Sequence, residues 1–398
     1  MKIMKKTIYT TKIFAIGVIF LLFLAFLPYF NAEMYDFSPK TTFSGTSWFN
    51  PYFQKDSMWL KANFHSHTFA WGKLTNGHHT ADEVLKTFKS LEYDIPTISN
   101  YHQIDTTGKH DTSIVYIPTY EHGYNVKKRH HQPLGATSVV WLDFIFAQTL
   151  HHKQYMLNTI APTCSVLTIN HPSFSSGFEP SDFAMLKNYD LMEVLNHYRT
   201  SLPHWDSALS AGVSAMIVSN DDMKHLDSKG ECGAFWTMIG AKQRSATNVY
   251  HSLKTGNAYG VRGRDGNNGD KLESVHIQND SLTVTLAIQA DSIRFIHQNG
   301  VIRERFFQTS TASIPLLSND TYVRAEVFLD SLTTYFLNPV YRYSDQPFTT
   351  RTNLPTVNIF NTILYRMLIA VIESSLLFGI VLIVRSMRKK ENLQKMRE

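Results

Sequence analysis

Six short apolar runs between Lys61 and Asp222 each lead into a side chain able to bind a metal, and that regularity restricts the fold more than anything else in the chain. Phe64 precedes His65-Ser66-His67, and IPTIS leads to Asn100-Tyr101-His102. IVYIPTY leads to Glu121 and SVLTIN to His171-Pro172. LMEV contains Glu193 with His197 beyond it, and AMIVSN leads to Asp221, Asp222 and His225. Helical stretches such as TADEVLKTFKS lie between the runs, and Thr80 with Glu83 three residues on has the spacing of a capping box. Strand-like runs alternating with helices indicate parallel strands with helices packed outside them. When such strands close into a barrel their C-terminal ends share one face, so these donors would converge there.

The donor types narrow the chemistry. Of 18 histidines, 16 lie between His65 and His251, and neutral imidazole is the commonest protein ligand for metals. The two cysteines, Cys164 and Cys232, form no CxxC, so a metal site must use nitrogen and oxygen donors. An H-x-H on extended chain puts both imidazoles on the same side. Carboxylates such as Glu121 and Asp222 can bridge neighbouring ions. Closely spaced divalent ions stabilise both oxygens of a phosphoryl displacement and make hydroxide available near neutral pH. The chain has no P-loop, dinucleotide fingerprint or G-x-S-x-G, so nucleotide-cofactor and serine-hydrolase readings have no support.

The order H-S-H, a helix opening with A-D-E, Tyr101-His102 where D-H is usual, Glu121, His171-Pro172, M-E-V-x-N and D-D-x-x-H resembles the polymerase and histidinol phosphatase (PHP) superfamily of metal-dependent phosphoesterases. Trp205-Asp206 through Gly212, Trp236, HSLKTGNAYGVRG and FLNPVYRY resemble its membrane-associated or secreted branch, which carries a trailing β domain. The resemblance covers about residues 60–345 and implies a distorted (β/α)7 barrel. By it, His65, His67, His102, Glu121, His171, Asp222 and His225 are the metal ligands and catalytic residues. Glu193 and His197 fall where the family has a further ligand or a supporting group, and either residue fits. The implied cofactors are two or three divalent ions of Zn, Mn or Fe. Three departures accompany the match: TFAWGKLTNG after His67 lacks the usual acidic residue, Tyr101 stands for an Asp, and the last Asp and His225 are spaced more widely than usual.

The ends of the chain are of another kind. Ile13–Phe30 is apolar enough to span a bilayer and reads as an anchor, with a cleaved signal peptide as the alternative. Met367–Val384 is a second such run, interrupted by Glu373, with a buried core helix as its alternative. The formal charge of +5 resides in the flanks: Lys2, Lys5, Lys6 and Lys12 give +4, residues 385–398 give another +4, and the remainder carries −3. A nucleic-acid partner is therefore not expected. Basic flanks mark the cytoplasmic side, which places both termini in the cytoplasm and the region between outside.

The expected architecture is thus α/β: 1–32 flank and first helix, 33–59 linker, 60–260 barrel, 261–350 small antiparallel β domain, 351–364 linker, 365–385 second helix and 386–398 basic tail. The Gly- and Asn-rich 260–270 is read as the joint between barrel and β domain. The pairs His78-His79, His130-His131 and His151-His152 have no partner motif and read as solvated, although His131 with Arg129, and Arg199, are candidates for a phosphate pocket. The expected function is a membrane-anchored hydrolase acting on a phosphorylated small molecule or surface polymer through metal-activated hydroxide. The alternatives are a non-catalytic metal-binding module, or a metal hydrolase acting on an amide or a carbohydrate-linked ester.

Overall fold

A computed structural model of the chain describes residues 2–38, 41–52, 58–75, 77–228, 230–263, 271–344 and 354–395. It divides into two compact units, one made of 1–37, 142–155 and 355–398, the other of 38–141 and 156–354.

In the smaller unit two helices, Lys2–Phe26 and Ile359–Lys395, pack against each other antiparallel, with Lys12 Nζ bonded to Ser386 Oγ. Apolar segments of 23 residues (Tyr9–Asn31) and 31 residues (Ile359–Lys389) make both long and apolar enough to cross a membrane. Beyond their ends, Tyr35–Asp36 pairs antiparallel with Thr356–Val357. Segment 142–155 belongs here. The Tyr29 hydroxyl donates to Ala147 O at 3.2 Å and accepts from Phe146 N at 3.0 Å, and His152 Nε2 lies 2.8 Å from the Tyr365 hydroxyl. His152 is therefore buried, and not solvated as its place in a His-His pair implied.

The larger unit is built on an 11-stranded and a four-stranded sheet. The first runs Ile95–Pro96, Met58–Asn63, Phe235–Ala241, Ala258–Arg262, Thr334–Leu337, Tyr322–Phe328, Ser281–His297, Leu272–Gln278. Its first pair is parallel and the rest of this path antiparallel. The second runs His130–Leu134, Val166–Asn170, Leu191–Asn196, Met216–Asn220, with the first pair antiparallel and the others parallel. Strand Leu191–Asn196 is buried at every position, as parallel central strands are. Helix Ala81–Ser90 starts at the expected capping box: Thr80 accepts from Glu83 N, and Glu83 accepts from Thr80 N at 2.7 Å. It buries Val84, Leu85 and Phe88.

Among the described residues the strands do not close into the expected (β/α)7 barrel. Such a barrel needs parallel neighbours throughout. Here Phe235–Ala241 lies antiparallel to Met58–Asn63, and His130–Leu134 antiparallel to Val166–Asn170. IVYIPTY joins no ladder; it is held by single bonds such as Val115 N to Asp94 O at 2.8 Å. The sheets nevertheless meet at their strand ends, where Phe64 N donates to Asn220 Oδ1 and His67 N to Met223 O, both at 2.8 Å.

The β region is antiparallel and continuous with the large sheet through Thr334–Leu337 on Ala258–Arg262. Residues 260–262, expected as part of the joint at 260–270, thus belong to strand Ala258–Arg262; 264–270 lie outside the described residues. The Trp205-Asp206 motif has a structural role. Arg324, 3% exposed, donates to Asp206 at 2.9 and 2.8 Å and to Glu326 at 2.6 Å, and its guanidinium lies 4.8 Å from the Trp205 ring. The network joins helix Leu202–Ser210 to strand Tyr322–Phe328. Removing one member leaves buried charge without its partner, so Arg324→Ala should cost about 3–5 kcal/mol. Chemical denaturation of the full chain in detergent, beside wild type, checks this.

Candidate metal centre

Two donors stand at strand ends in backbone conformations that L-residues seldom adopt. His171 has φ 27° and follows Val166–Asn170; Asp222 has φ 51° and follows Met216–Asn220. Such conformations cost roughly 1–3 kcal/mol each and persist where the surroundings enforce them. Here they turn both side chains into the space where the sheet ends meet.

Glu121 is the hub, with no exposure to solvent. Its Oε1 lies 3.2 Å from His65 Nε2, 3.2 Å from His171 Nε2 and 2.7 Å from His130 Nδ1, and its Oε2 lies 3.2 Å from His67 Nε2. Asp222 Oδ1 lies 3.3 Å from both His65 Nε2 and His67 Nε2, and those two nitrogens are 3.3 Å apart. The H-x-H imidazoles thus face one another across the same space. Three groups have donor atoms all within 4.8 Å of one another: His65, His67 and Glu121; His65, His171 and Asp222; Glu121, His130 and His171. The three groups overlap, sharing Glu121, His65 and His171.

Glu193 acts behind this set. Its Oε1 is 3.0 Å from His65 Nδ1 and accepts from Asn220 Nδ2 at 2.9 Å, while its Oε2 accepts from His171 N at 2.9 Å and Asn196 Nδ2 at 3.1 Å. A carboxylate on Nδ1–H leaves Nε2 as the donor toward the centre, the usual support for a ligating histidine. Asp221 faces away. It accepts from Gly233, Ala234 and Phe235 N at 2.8–3.0 Å, and burial pushes its carboxyl up to about 7. Of the two adjacent aspartates, Asp222 is the one at the centre.

Several expected residues lie elsewhere. His102 Nδ1 is 3.1 Å from Val140 O, its Nε2 accepts from Gly123 N at 3.1 Å, and its ring stacks on Trp141. Both nitrogens are thereby engaged away from the hub. His225 stacks on His78 at 3.8 Å, and His197 packs edge-on to Tyr198 and Phe235. Arg129 Nε donates to Gly177 O at 2.6 Å, Arg199 lies over Phe174, and His131 is buried beside His122 and Phe178. Burial, with His122 nearby, holds His131 well below the ordinary imidazole value, so it is neutral.

His130 was read as solvated and is not: it is 2% exposed and belongs to a donor group. Its buried Nε2 has no hydrogen-bond partner among the described residues, and His130 lines the cleft over the centre. The only signal in the sequence was that His130 opens a run, HHQPL, that is compatible with a strand.

The electrostatics fit a cation. Burial would raise the Glu121 and Asp222 carboxyls, yet His130 and His65 hold the first, and His65 and Lys224 the second, well below the usual range. Burial would lower His65, but Asp222, Glu121 and Glu193 raise it well above the ordinary imidazole value. Two ionised carboxylates among imidazoles whose ring nitrogens converge make a nitrogen–oxygen donor set suited to a divalent metal ion.

No family model and no curated protein matches the chain. Among solved structures, a two-domain protein from Bacteroides vulgatus ATCC 8482 containing a predicted PHP-like metal-dependent phosphoesterase matches with a TM-score of 0.39 and 12% identity, over 78% of this chain and 92% of that one. A likeness of that size assigns no family.

Metal binding here must displace the proton that Asp222, Glu121 and Glu193 hold on His65 well above the ordinary imidazole value, so apparent affinity should rise with pH through the neutral range and level off only above that raised value. Titration calorimetry with Zn or Mn in buffers of different ionisation enthalpy should show proton release, and affinity independent of pH would contradict the assignment. Glu193→Gln should weaken metal binding by about 10–100-fold.

Proposed function

We propose that the chain is a membrane-anchored, metal-dependent hydrolase whose centre cleaves phosphate esters outside the cytoplasm. The observation that carries this is the convergence of His65, His67, Glu121, His130, His171 and Asp222 in three overlapping donor groups at the sheet ends. A structural ion needs three or four ligands and a closed shell; this set is larger and opens onto a cleft of about 250 Å³. The order of the donors along the chain, with its resemblance to the PHP superfamily, supports phosphoester chemistry. The two long apolar helices and their basic flanks support an anchor with both termini in the cytoplasm.

Bound divalent ions would supply an activated water and neutralise the charge that develops on the phosphoryl group. The chain's own contribution is positional. Glu193 fixes the face that His65 presents. Glu121 and Asp222 hold the imidazoles in register and, as carboxylates between histidines, suit bridging. Tyr101, Phe174 and Tyr198 wall the cleft and limit water.

The test is metal content and turnover of the full chain in detergent. Wild type should retain two or more equivalents of Zn, Mn or Fe, and His67→Ala fewer. His65→Ala and Asp222→Ala should lose hydrolysis of p-nitrophenyl phosphate and of its bis ester. Undiminished turnover in either would overturn the site. A single ion unaffected by His67→Ala, with no hydrolysis, would favour the non-catalytic module.

A further inference from the structure

The cleft over the centre has two cations on its wall, Lys224 and Lys128, neither of which is a candidate ligand. Lys224 is held in place. Its backbone N donates to Glu231 Oε1 at 2.9 Å, and that carboxylate also accepts from the Tyr198 hydroxyl at 3.0 Å. Its ammonium lies 2.6 Å from Asp222 Oδ1, 3.1 Å from Asp222 O and 4.5 Å from the centre of the Tyr198 ring. An ammonium has three N–H donors. Two are taken by Asp222, and one remains for the cleft that Lys224 lines. Lys128 is exposed at φ 55°, its backbone fixed by a bond from its N to Asn125 O at 3.1 Å. The Asp222 Oδ1 that pairs with Lys224 also lies 3.3 Å from the Nε2 atoms of His65 and His67.

A cleft of about 250 Å³ is smaller than the ~300–1,000 Å³ of sites that enclose a whole drug-sized ligand. It has room for a phosphoryl group and the first atoms of what that group is attached to. Two ammonium groups favour two negative charges over one.

We propose that Lys224 and Lys128 clamp the non-bridging oxygens of a terminal, dianionic phosphate, which makes the site selective for monoesters over diesters. The inference rests on the phosphoesterase reading and adds to it the substrate class and two substrate-binding residues. Arg129, His131 and Arg199, candidates on sequence grounds, do not line the cleft.

The experiment compares wild type, Lys224→Gln and Lys128→Gln as metal-loaded full chains, with p-nitrophenyl phosphate and its bis ester as substrates and metal content measured for each. A hydrogen bond to a charged group is worth about 1.5–3 kcal/mol, so each variant should raise KM for the monoester by about tenfold or more. The bis ester should be almost unaffected by Lys128→Gln, whereas Lys224→Gln, which loses a bond to Asp222, is compared only at equal metal content. Unchanged monoester KM in Lys128→Gln, which bonds to none of the candidate ligands, would overturn the clamp and leave the phosphoesterase reading intact. If wild type cleaves neither ester, that reading fails, and calorimetry with inorganic phosphate decides the clamp alone: binding about tenfold weaker in both variants upholds it, equal binding removes it.

Discussion

A carboxylate sealed from water with four imidazoles around it is the constraint on which the rest of the larger unit depends. Burying an ionised carboxyl is unfavourable unless charge or hydrogen bonds compensate it. Glu121 obtains that compensation from His65, His67, His130 and His171, which come from three places in the sequence. The ends of both sheets must therefore meet at one point. The left-handed turns at His171 and Asp222 follow from the same requirement, because a strand that simply continued would carry its donor past the hub. The imidazoles in turn are incompletely served by protein alone: His65 Nε2 and His67 Nε2 face each other at 3.3 Å, a spacing at which two lone pairs repel unless a proton or a metal ion lies between them.

Much of this was legible in the sequence, since local pattern carries it. The H-x-H, the Thr80 capping box and the carboxylates after apolar runs are all short-range features. His130 was not legible. Its approach to Glu121 depends on strand His130–Leu134 pairing antiparallel with Val166–Asn170, in a register that sets His130 opposite Asn170, and no local spacing encodes that. The reverse failure befell His102. It follows a run as the other donors do, but at φ 48° its ring turns toward Val140 O and Trp141. His225 lies one residue too far along: its backbone N is drawn to Glu231 at 3.1 Å, and its ring goes to His78. The barrel expectation failed for the same physical reason as the His130 reading. Apolar runs between helices look alike whether their neighbours are parallel or antiparallel.

The β region is tied to the part that carries the donor cluster by charge as well as by strand pairing. Arg324 sits between Asp206 on a helix and Glu326 on its own strand, and Glu326 also pairs with Arg294. Four charges in alternating sign, of which Arg324 and Glu326 are almost wholly shielded, tolerate one geometry far better than others. The motif around Trp205 and Asp206 thus reads as an orientation device for the sheet that follows it, and not as part of the reacting centre.

The membership of segment 142–155 has a consequence for anyone who would work with the larger unit alone. The chain passes between the two units at 37–38, 141–142, 155–156 and 354–355. Cutting away 1–37 and 355–398 removes Tyr29 and Tyr365 but leaves behind Phe146, whose backbone N donates to the Tyr29 hydroxyl, and His152, which contacts both tyrosine rings. The excised fragment would display a sticky aromatic flap, spliced into its middle one residue after Trp141. A soluble version of this protein is therefore a redesign of an internal loop, and not a matter of choosing two end points.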